Sequence, residues 1–358
     1  MTQESTTCQS MATSTDNTIL GDTDATAASE TYPKPENEPI ILTGIRRPRK
    51  QDAMSPLRYP GSKRKMLPAI HELILTSASR PSLFVEPFCG GASIALGLLE
   101  MDAVDHILLA DLDPLISAFW HEATTAADRL IDDMMREPVT VERWDQWRQA
   151  SPTCSRGRAM KCLFLNRTNF SGIIGGSAGP IGGRSQVSKY KIDCRFEKES
   201  LARRIHNIKR FADEGRIATV LGCSWQETLR FVRSNDKMWS PNDTLLYFDP
   251  PYIQKAHRLY THLFSSGDHK TLANCLMSGL PYRWILSYDR EPLVFDLYRN
   301  MPGVYEYHVS HHYTMRGNRF GPDPGREVLY ANFRPIRSYS CLEAERLHTD
   351  EHRFDADQ

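Results

Sequence analysis

LLYFDPPY, residues 245–252, is an apolar run of strand length that stops on an acid, two prolines and a tyrosine. With Thr244 at its head it reads as a buried strand, because a short continuous apolar run closed by turn-forming residues suits the middle of a covered sheet. Two prolines fix the backbone and remove two N–H donors, so nearby carbonyls are left free to point outward. The Asp249 carboxylate beside the Pro250 carbonyl makes an acceptor pair for an exocyclic NH2 group. Pro251 and Tyr252 follow, and the tyrosine ring offers a face on which a flipped base can stack. The plainer alternative is a proline-rich turn with a capping acid. Four residues in this order at the end of a buried strand favour the site.

Working outward, six further apolar runs have strand length: residues 82–87, 106–111, 217–221, 283–287, 304–309 and 327–333. Helical patterns fit 92–99, 114–127, 158–165, 200–212, 225–233 and 268–278. Strands alternating with helices predict a mainly parallel α/β sheet covered on both faces. The short link between the last two strands predicts an antiparallel pair at one edge. Residues 121–209 hold no comparable strand and read as an inserted, partly helical domain.

Upstream, LFVEPFCGGASIALGLL (83–99) runs from a strand through Glu86-Pro87-Phe88 into Gly90-Gly91 and a helix. Glycine there lets backbone approach a ligand, and the helix start adds free N–H groups. A plain strand-to-helix connection is the alternative. ILLADLD (107–113) then places Asp111 at the end of the next strand. An acid in that place can accept hydrogen bonds from ribose hydroxyls, or can cap the helix that opens at Pro114.

Formal net charge is zero, yet the charge is uneven. Residues 151–210 carry 13 Lys/Arg against Asp193, Glu197 and Glu199, and residues 45–65 carry eight against Asp52. A neutral chain with two basic stretches suits an anionic partner met by one face, although a solvated basic face reads the same way. The cysteines (Cys8, Cys89, Cys154, Cys162, Cys194, Cys223, Cys275 and Cys341) show no C-x-x-C pair and read as reduced thiols. No apolar run reaches the roughly 18 residues of a membrane span, and no signal peptide is evident, so a cytoplasmic protein is expected. His308, His311 and His312 lack matching carboxylate or cysteine spacing and read as strand residues, so no metal site is expected. Ser287-Tyr288-Asp289 ends a strand at the same rim as DPPY. Glu227 either meets a cofactor or faces solvent. Trp144 and Trp147 read as helix packing.

Together these blocks resemble the Dam-like, alpha-class (DPPY) adenine-specific DNA methyltransferases, in which a cofactor motif precedes the recognition region and DPPY follows it. SPLRYPGSKRKMLPAI (55–70) is similar to that family's N-terminal cofactor motif, FVEPFCGGAS to its glycine loop, LLADLD to its ribose-binding strand end, and FLNRTNFSGI (164–173) to the segment leading into its DNA-recognition hairpin. The resemblance implies a Rossmann-like S-adenosylmethionine-dependent methyltransferase sheet with an antiparallel edge strand, plus an inserted, mainly helical DNA-recognition domain. The implied division is a disordered segment over 1–50, a catalytic domain over 51–120 and 210–340, the recognition domain over 121–209, and a polar tail over 341–358.

The resemblance further implies that Tyr59, Gly61 and Lys63 meet the methionine end of S-adenosylmethionine. Glu86, Pro87, Phe88 and Gly90 would line the pocket, Asp111 would hold the ribose, and Asp249 would border both cofactor and base. Arg167, Asn169 and the loop after Phe170, with Arg184 and Lys189, would touch double-stranded DNA. Two departures stand out. Ala92 occupies a place where the family often has glycine, which is tolerable if its φ is helical. The hairpin region is also unusually rich in glycine, with six between Gly172 and Gly183. The implied activity is N6-methylation of a flipped-out adenine by a monomeric enzyme. N4-cytosine methylation, methylation of a protein glutamine amide and a non-catalytic DNA-binding module are the alternatives. The first two families more often carry Ser or Asn where Asp249 stands.

Overall fold

Short apolar runs, each closed by a polar or turn-forming residue, become the strands of one sheet. The computed structural model describes residues 40–42, 55–58, 63–176, 178–251, 264–309 and 327–336. All of these belong to a single unit, 35–358. Among the expected site residues Tyr59, Gly61 and Tyr252 lie outside the described residues, as do His311, His312 and the 341–358 tail.

The strands are β1 (Ile40–Leu42), β2 (Leu83–Glu86), β3 (His106–Ala110), β4 (Ile217–Leu221), β5 (Thr244–Phe248), β6 (Arg283–Asp289), β7 (Tyr305–Val309) and β8 (Glu327–Ala331). Their order across the sheet is β1-β7-β8-β6-β5-β2-β3-β4. All seven runs singled out in the sequence are strands. β2 to β6 run parallel to one another, and β8 runs antiparallel to both β6 and β7. The antiparallel β7–β8 pair therefore lies toward one side of the sheet, as the short link predicts. β1 lies beyond it, pairing Ile40 with Tyr307 and Leu42 with Val309. This strand falls inside the segment expected to be disordered. The three apolar residues of Ile40–Leu42 are enough to extend a sheet that presents a free edge.

The helices are α1 (Leu67–Leu75), α2 (Ser93–Glu100), α3 (Pro114–Thr125), α4 (Ala127–Arg136), α5 (Val141–Gln149), α6 (Ser155–Thr168), α7 (Lys198–Asp213), α8 (Trp225–Ser234), α9 (Ser266–Met277) and α10 (Pro292–Tyr298). Alternation along each strand divides the core in two. Leu245 and Tyr247 of β5 join the residues of α1, α2, α3, α6 and α7 on one face, and Leu246 and Phe248 join those of α8, α9 and α10 on the other. Every residue of β2 and β5 is buried, as central strands covered on both faces require. From β2 the chain moves outward through β3 and β4, then returns to β5 on β2's other side. The switch point between β2 and β5 opens a crevice at their carboxyl ends, where ligands bind in open α/β sheets.

Helices α3 to α7 lie between β3 and β4 in sequence, and α3 packs along α6. Residues 55–58 are strapped onto this helical group. Arg58 N donates to Asn166 Oδ1 and Asn166 Nδ2 returns a bond to Arg58 O, both 2.6 Å. Arg167 Nε donates to Pro56 O (2.5 Å) and Arg204 Nη1 to Ser55 O (3.1 Å). Gly172 closes the arrangement, donating no side chain where none fits. Its φ is +77° and an added Cβ would stand 2.2 Å from Arg58 O. Gly172→Ala should therefore lower unfolding free energy by about 2–4 kcal/mol, since backbone must move and the left-handed φ disfavours a side chain. Denaturant titration checks this, and an unchanged midpoint would contradict the close approach.

Candidate active site

Three acidic side chains stand at the crevice. Glu86 ends β2 and is almost wholly buried, with Oε2 lacking a hydrogen-bond partner among the described residues. Burial, reinforced by the nearby Asp249 and Asp111 charges, holds its carboxyl well above the usual range. The loop after it turns through Gly90 (φ 44°) and Ala92 (φ 46°) before α2 begins at Ser93. Ala92 is thus in the left-handed region, against the expectation of a helical φ. The turn keeps its shape there at a cost of about 1–2 kcal/mol. Pro87 is buried, and Phe88 meets Phe264 edge-on at 5.6 Å.

Asp111 follows β3, and its two oxygens accept from Gly90 N (2.8 Å) and Asp113 N (2.9 Å). It is not the helix cap. Asp113 caps α3 by accepting from Leu115 N at 2.8 Å. Asp111 is instead tied to the glycine loop, and burial pushes its carboxyl up to about 7 despite the two N–H donors. The loop is also held from behind by Trp120, whose Nε1 donates to Gly90 O at 2.8 Å. Trp120 was not among the residues singled out in the sequence. Its indole lies on α3, and only the fold brings that helix under the loop.

Asp249 follows β5, beside the buried Pro250 and half-buried Pro251. Its Oδ1 accepts from Ser287 Oγ (2.9 Å), and Lys63 Nζ lies 3.7 Å from the same oxygen. Tyr247 OH lies 2.9 Å from Ser287 Oγ. Because Ser287 donates its single proton to Asp249, the tyrosine must donate to Ser287, and a buried hydroxyl chain orients the carboxylate. Burial raises Asp249 to about 6, while Lys63 and the Ser287 hydrogen bond pull against it. Lys63 is itself buried and bridges to Glu327 at 3.3 Å. Ser287, read in the sequence only as part of a strand end at the same rim, is thus brought onto Asp249 by parallel pairing of β5 with β6.

The crevice therefore gathers Glu86, Asp111 and Asp249. A buried orphan carboxylate oxygen among three acids suits a ligand that brings positive charge and N–H or O–H donors. S-adenosylmethionine carries an ammonium, a sulfonium and a ribose diol, so the residues present fit it. Among the described residues no group of three potential metal ligands occurs. His308 pairs with Glu306 at 2.6 Å, and Arg299 holds the same carboxylate. Glu227 forms a capping box with Ser224 at the start of α8, which settles it as a helix cap.

The expected DNA contacts divide. Arg184 and Lys189 are exposed, with Arg184 forked onto Asp145 at 2.9 and 2.7 Å. Arg167 and Asn169 are buried. Arg167 is 6% exposed and binds Pro56 O, while Asn169 accepts from Trp144 Nε1 (2.6 Å) and donates to Ile173 O (2.5 Å). Helix α6 explains this, because its residues Cys162, Leu163, Phe164 and Leu165 are buried in succession and the polar residues that follow are buried too. The sequence missed a set of exposed apolar side chains in this region: Phe170 (70%), Val187 (84%) and Tyr190 (60%). Phe170 N donates to Gly179 O and Ile181 N to Thr168 O, so the glycine-rich segment folds back on itself.

The chain is similar to the Retron Ec67 DNA adenine methylase of Escherichia coli, at 25% identity over 301 residues, covering 80% of this chain and 92% of that protein. Among solved structures it is similar to the rRNA methyltransferase aviRa from Streptomyces viridochromogenes, at 13% identity and a TM-score of 0.38, covering 81% of this chain and 96% of that one. A second structure of that protein gives 12% identity and a TM-score of 0.32, over 75% and 83%. The family model for the D12 class N6 adenine-specific DNA methyltransferases matches residues 59–315, from the segment ahead of α1 to beyond β7. The chain belongs to the D12 class N6 adenine-specific DNA methyltransferases.

Proposed function

We propose that in this S-adenosylmethionine-dependent adenine N6-methyltransferase the Asp249 carboxylate and the Pro250 carbonyl accept hydrogen bonds from the two N–H groups of the adenine amine, which loses one proton once the methyl has left the sulfonium as a neutral thioether. The observation that carries this reading is the pinned carboxylate of Asp249, one oxygen held by Ser287 beside a buried proline that has no N–H to offer. An exocyclic adenine amine is a weak nucleophile because its lone pair is spread into the ring. Two acceptors on its protons favour a pyramidal nitrogen whose lone pair can be aimed. Positioning of this kind supplies several kcal/mol toward an in-line displacement.

S-adenosylmethionine supplies the electrophilic methyl group when bound. In this reading Glu86 Oε2 would accept from its ammonium, and Asp111 would accept from ribose hydroxyls while keeping Gly90 in line. Phe88 and Pro87 wall the crevice. Lys63, expected at the methionine end of the cofactor, bridges Asp249 and Glu327 and so holds positive charge beside the Asp249 carboxylate. Tyr252 is assigned to stacking on the extruded adenine, whose removal from the duplex costs a few kcal/mol. Exposed Phe170, Val187 and Tyr190, beside Arg184 and Lys189, suit contact with base steps and phosphates.

Plasmid DNA from cells lacking other methylation but expressing this chain tests the reading. Modified-base sequencing should mark adenines within one short motif, and marks on cytosines would overturn the base assignment. The hydroxyl chain has its own test. Removing the Ser287 donor takes away a bond that stabilises the Asp249 anion, so its pKa must rise above about 6. Ser287→Ala should shift the acidic limb of the kcat/KM profile to higher pH and lower the plateau by about tenfold, the loss of one charge-assisted hydrogen bond. An unmoved limb would mean that Ser287 does not act on Asp249.

A further inference from the structure

Residues 55–58, the end of α6, the segment ahead of α7 and α7 itself bring four arginines together: Arg58, Arg167, Arg195 and Arg204. Arg167 is more than nine-tenths buried and engages only through Nε, to Pro56 O. Its Nη2 is buried and has no hydrogen-bond partner among the described residues, and the same holds for Nη1 of Arg58. The groups sense one another. Arg204 and Arg58 add to burial in lowering Arg167 to about 9, and Arg195 lowers Arg58. Arg64 and Arg203 press on Arg204 in turn. Facing them, Glu197 opposes at Arg167 and Arg204, and Cys194 weakly at Arg58.

A guanidinium does not shed its proton in a protein, so this crowd stays charged. Two buried donors without partners amid like charge need an explanation, and an anion is the one that answers both. The planar fork of a guanidinium matches the oxygens of a phosphate group. Arg195, Arg203 and Arg64 are exposed and Arg58 and Arg204 half-buried, so the buried Arg167 forms the floor of a site with an open rim. We propose that Arg58, Arg167, Arg195 and Arg204 seat one phosphate-type oxyanion, and that a backbone phosphate of the DNA duplex occupies it. This rests on the DNA-methyltransferase reading and adds a defined phosphate seat to it. The seat adjoins the folded-back glycine-rich segment, because Gly172 contacts Arg58 and Arg167 lies one turn before it.

The test uses the full chain and has two arms. In the first, chloride is replaced by inorganic phosphate at fixed ionic strength, with no DNA or cofactor. The wild-type midpoint should rise by roughly 2–4 °C, and Arg58→Gln and Arg195→Gln should lose the rise. In the second, duplex affinity is measured against salt. Each variant should show a log–log slope shallower by about one, the signature of one lost phosphate contact. Loss of the thermal rise with unchanged salt slopes would mean a free-anion site and overturn the DNA occupant. No rise in the wild type, or an equal rise in wild type and variants, would overturn the seat itself. Because the first arm needs neither DNA nor cofactor, its failure is separate from any failure of methyl transfer. Arg195→Gln is exposed, so it keeps the test clear of folding defects that Arg58→Gln can bring.

Discussion

Asp249→Ala should lower kcat for methyl transfer by about 10³-fold or more while S-adenosylmethionine affinity falls far less. The carboxylate is held on one side by Ser287 and lies near Lys63 on the same oxygen, Oδ1, which leaves Oδ2 for the substrate amine. Alanine removes the acceptor that sets the amine's orientation, and no other described acid is placed beside Pro250 to replace it. Asp249→Asn should be nearly as damaging, because an amide NH2 set toward the substrate presents donors to a donor. Single-turnover rates and cofactor calorimetry separate the two effects. A large loss of cofactor binding with an unchanged single-turnover rate would move Asp249 from the amine to the cofactor.

The second large effect is at Asp111, and it has two signs. Asp111→Asn should weaken S-adenosylmethionine binding by about 10²-fold, as expected for loss of hydrogen bonds to a charged acceptor. The same change should help the empty protein at neutral pH. In the folded chain the Asp111 carboxyl is raised from 3.8 to about 7. A carboxyl whose folded pKa exceeds its unfolded one contributes stability below the unfolded value and loses it as pH rises through the folded value. Wild type should therefore lose stability relative to Asp111→Asn between about pH 4 and pH 7, by on the order of 2–4 kcal/mol across that window. Unfolding titrations at several pH values check the sign. A gap that widens in the opposite direction would contradict a carboxylate whose burial outweighs its two N–H donors. A site that destabilises the empty fold until its cationic ligand arrives is the ordinary cost of function.

Much of this was legible in the sequence because it sits at strand ends. Glu86, Asp111 and Asp249 each follow an apolar run closed by Gly, Pro or Asp, and such punctuation survives without any knowledge of the fold. What the sequence withheld depends on which way a side chain faces. Arg167 and Asn169 were expected from the resemblance to touch DNA and are buried in the free chain, where α6 is apolar on all sides through Cys162–Leu165, a sign of a helix buried all round. Ser287 and Trp120 depend on neighbours distant in sequence, on β5 and the glycine loop, and no local pattern reveals that pairing. Ala92 failed its condition because its left-handed φ is imposed by the turn between β2 and α2. The Ile40–Leu42 strand was hidden by its polar surroundings, since three residues give too short a pattern to read.

The central claim is methyl transfer to the adenine amine at Asp249-Pro250. Its most direct measurement incubates purified wild type and Asp249→Ala with tritium-labelled S-adenosylmethionine and unmethylated plasmid, then separates the nucleosides. The account predicts label in N6-methyladenine from wild type and essentially none from the variant. Label in N4-methylcytosine, equal label from both proteins, or cofactor binding with no label in DNA would contradict it.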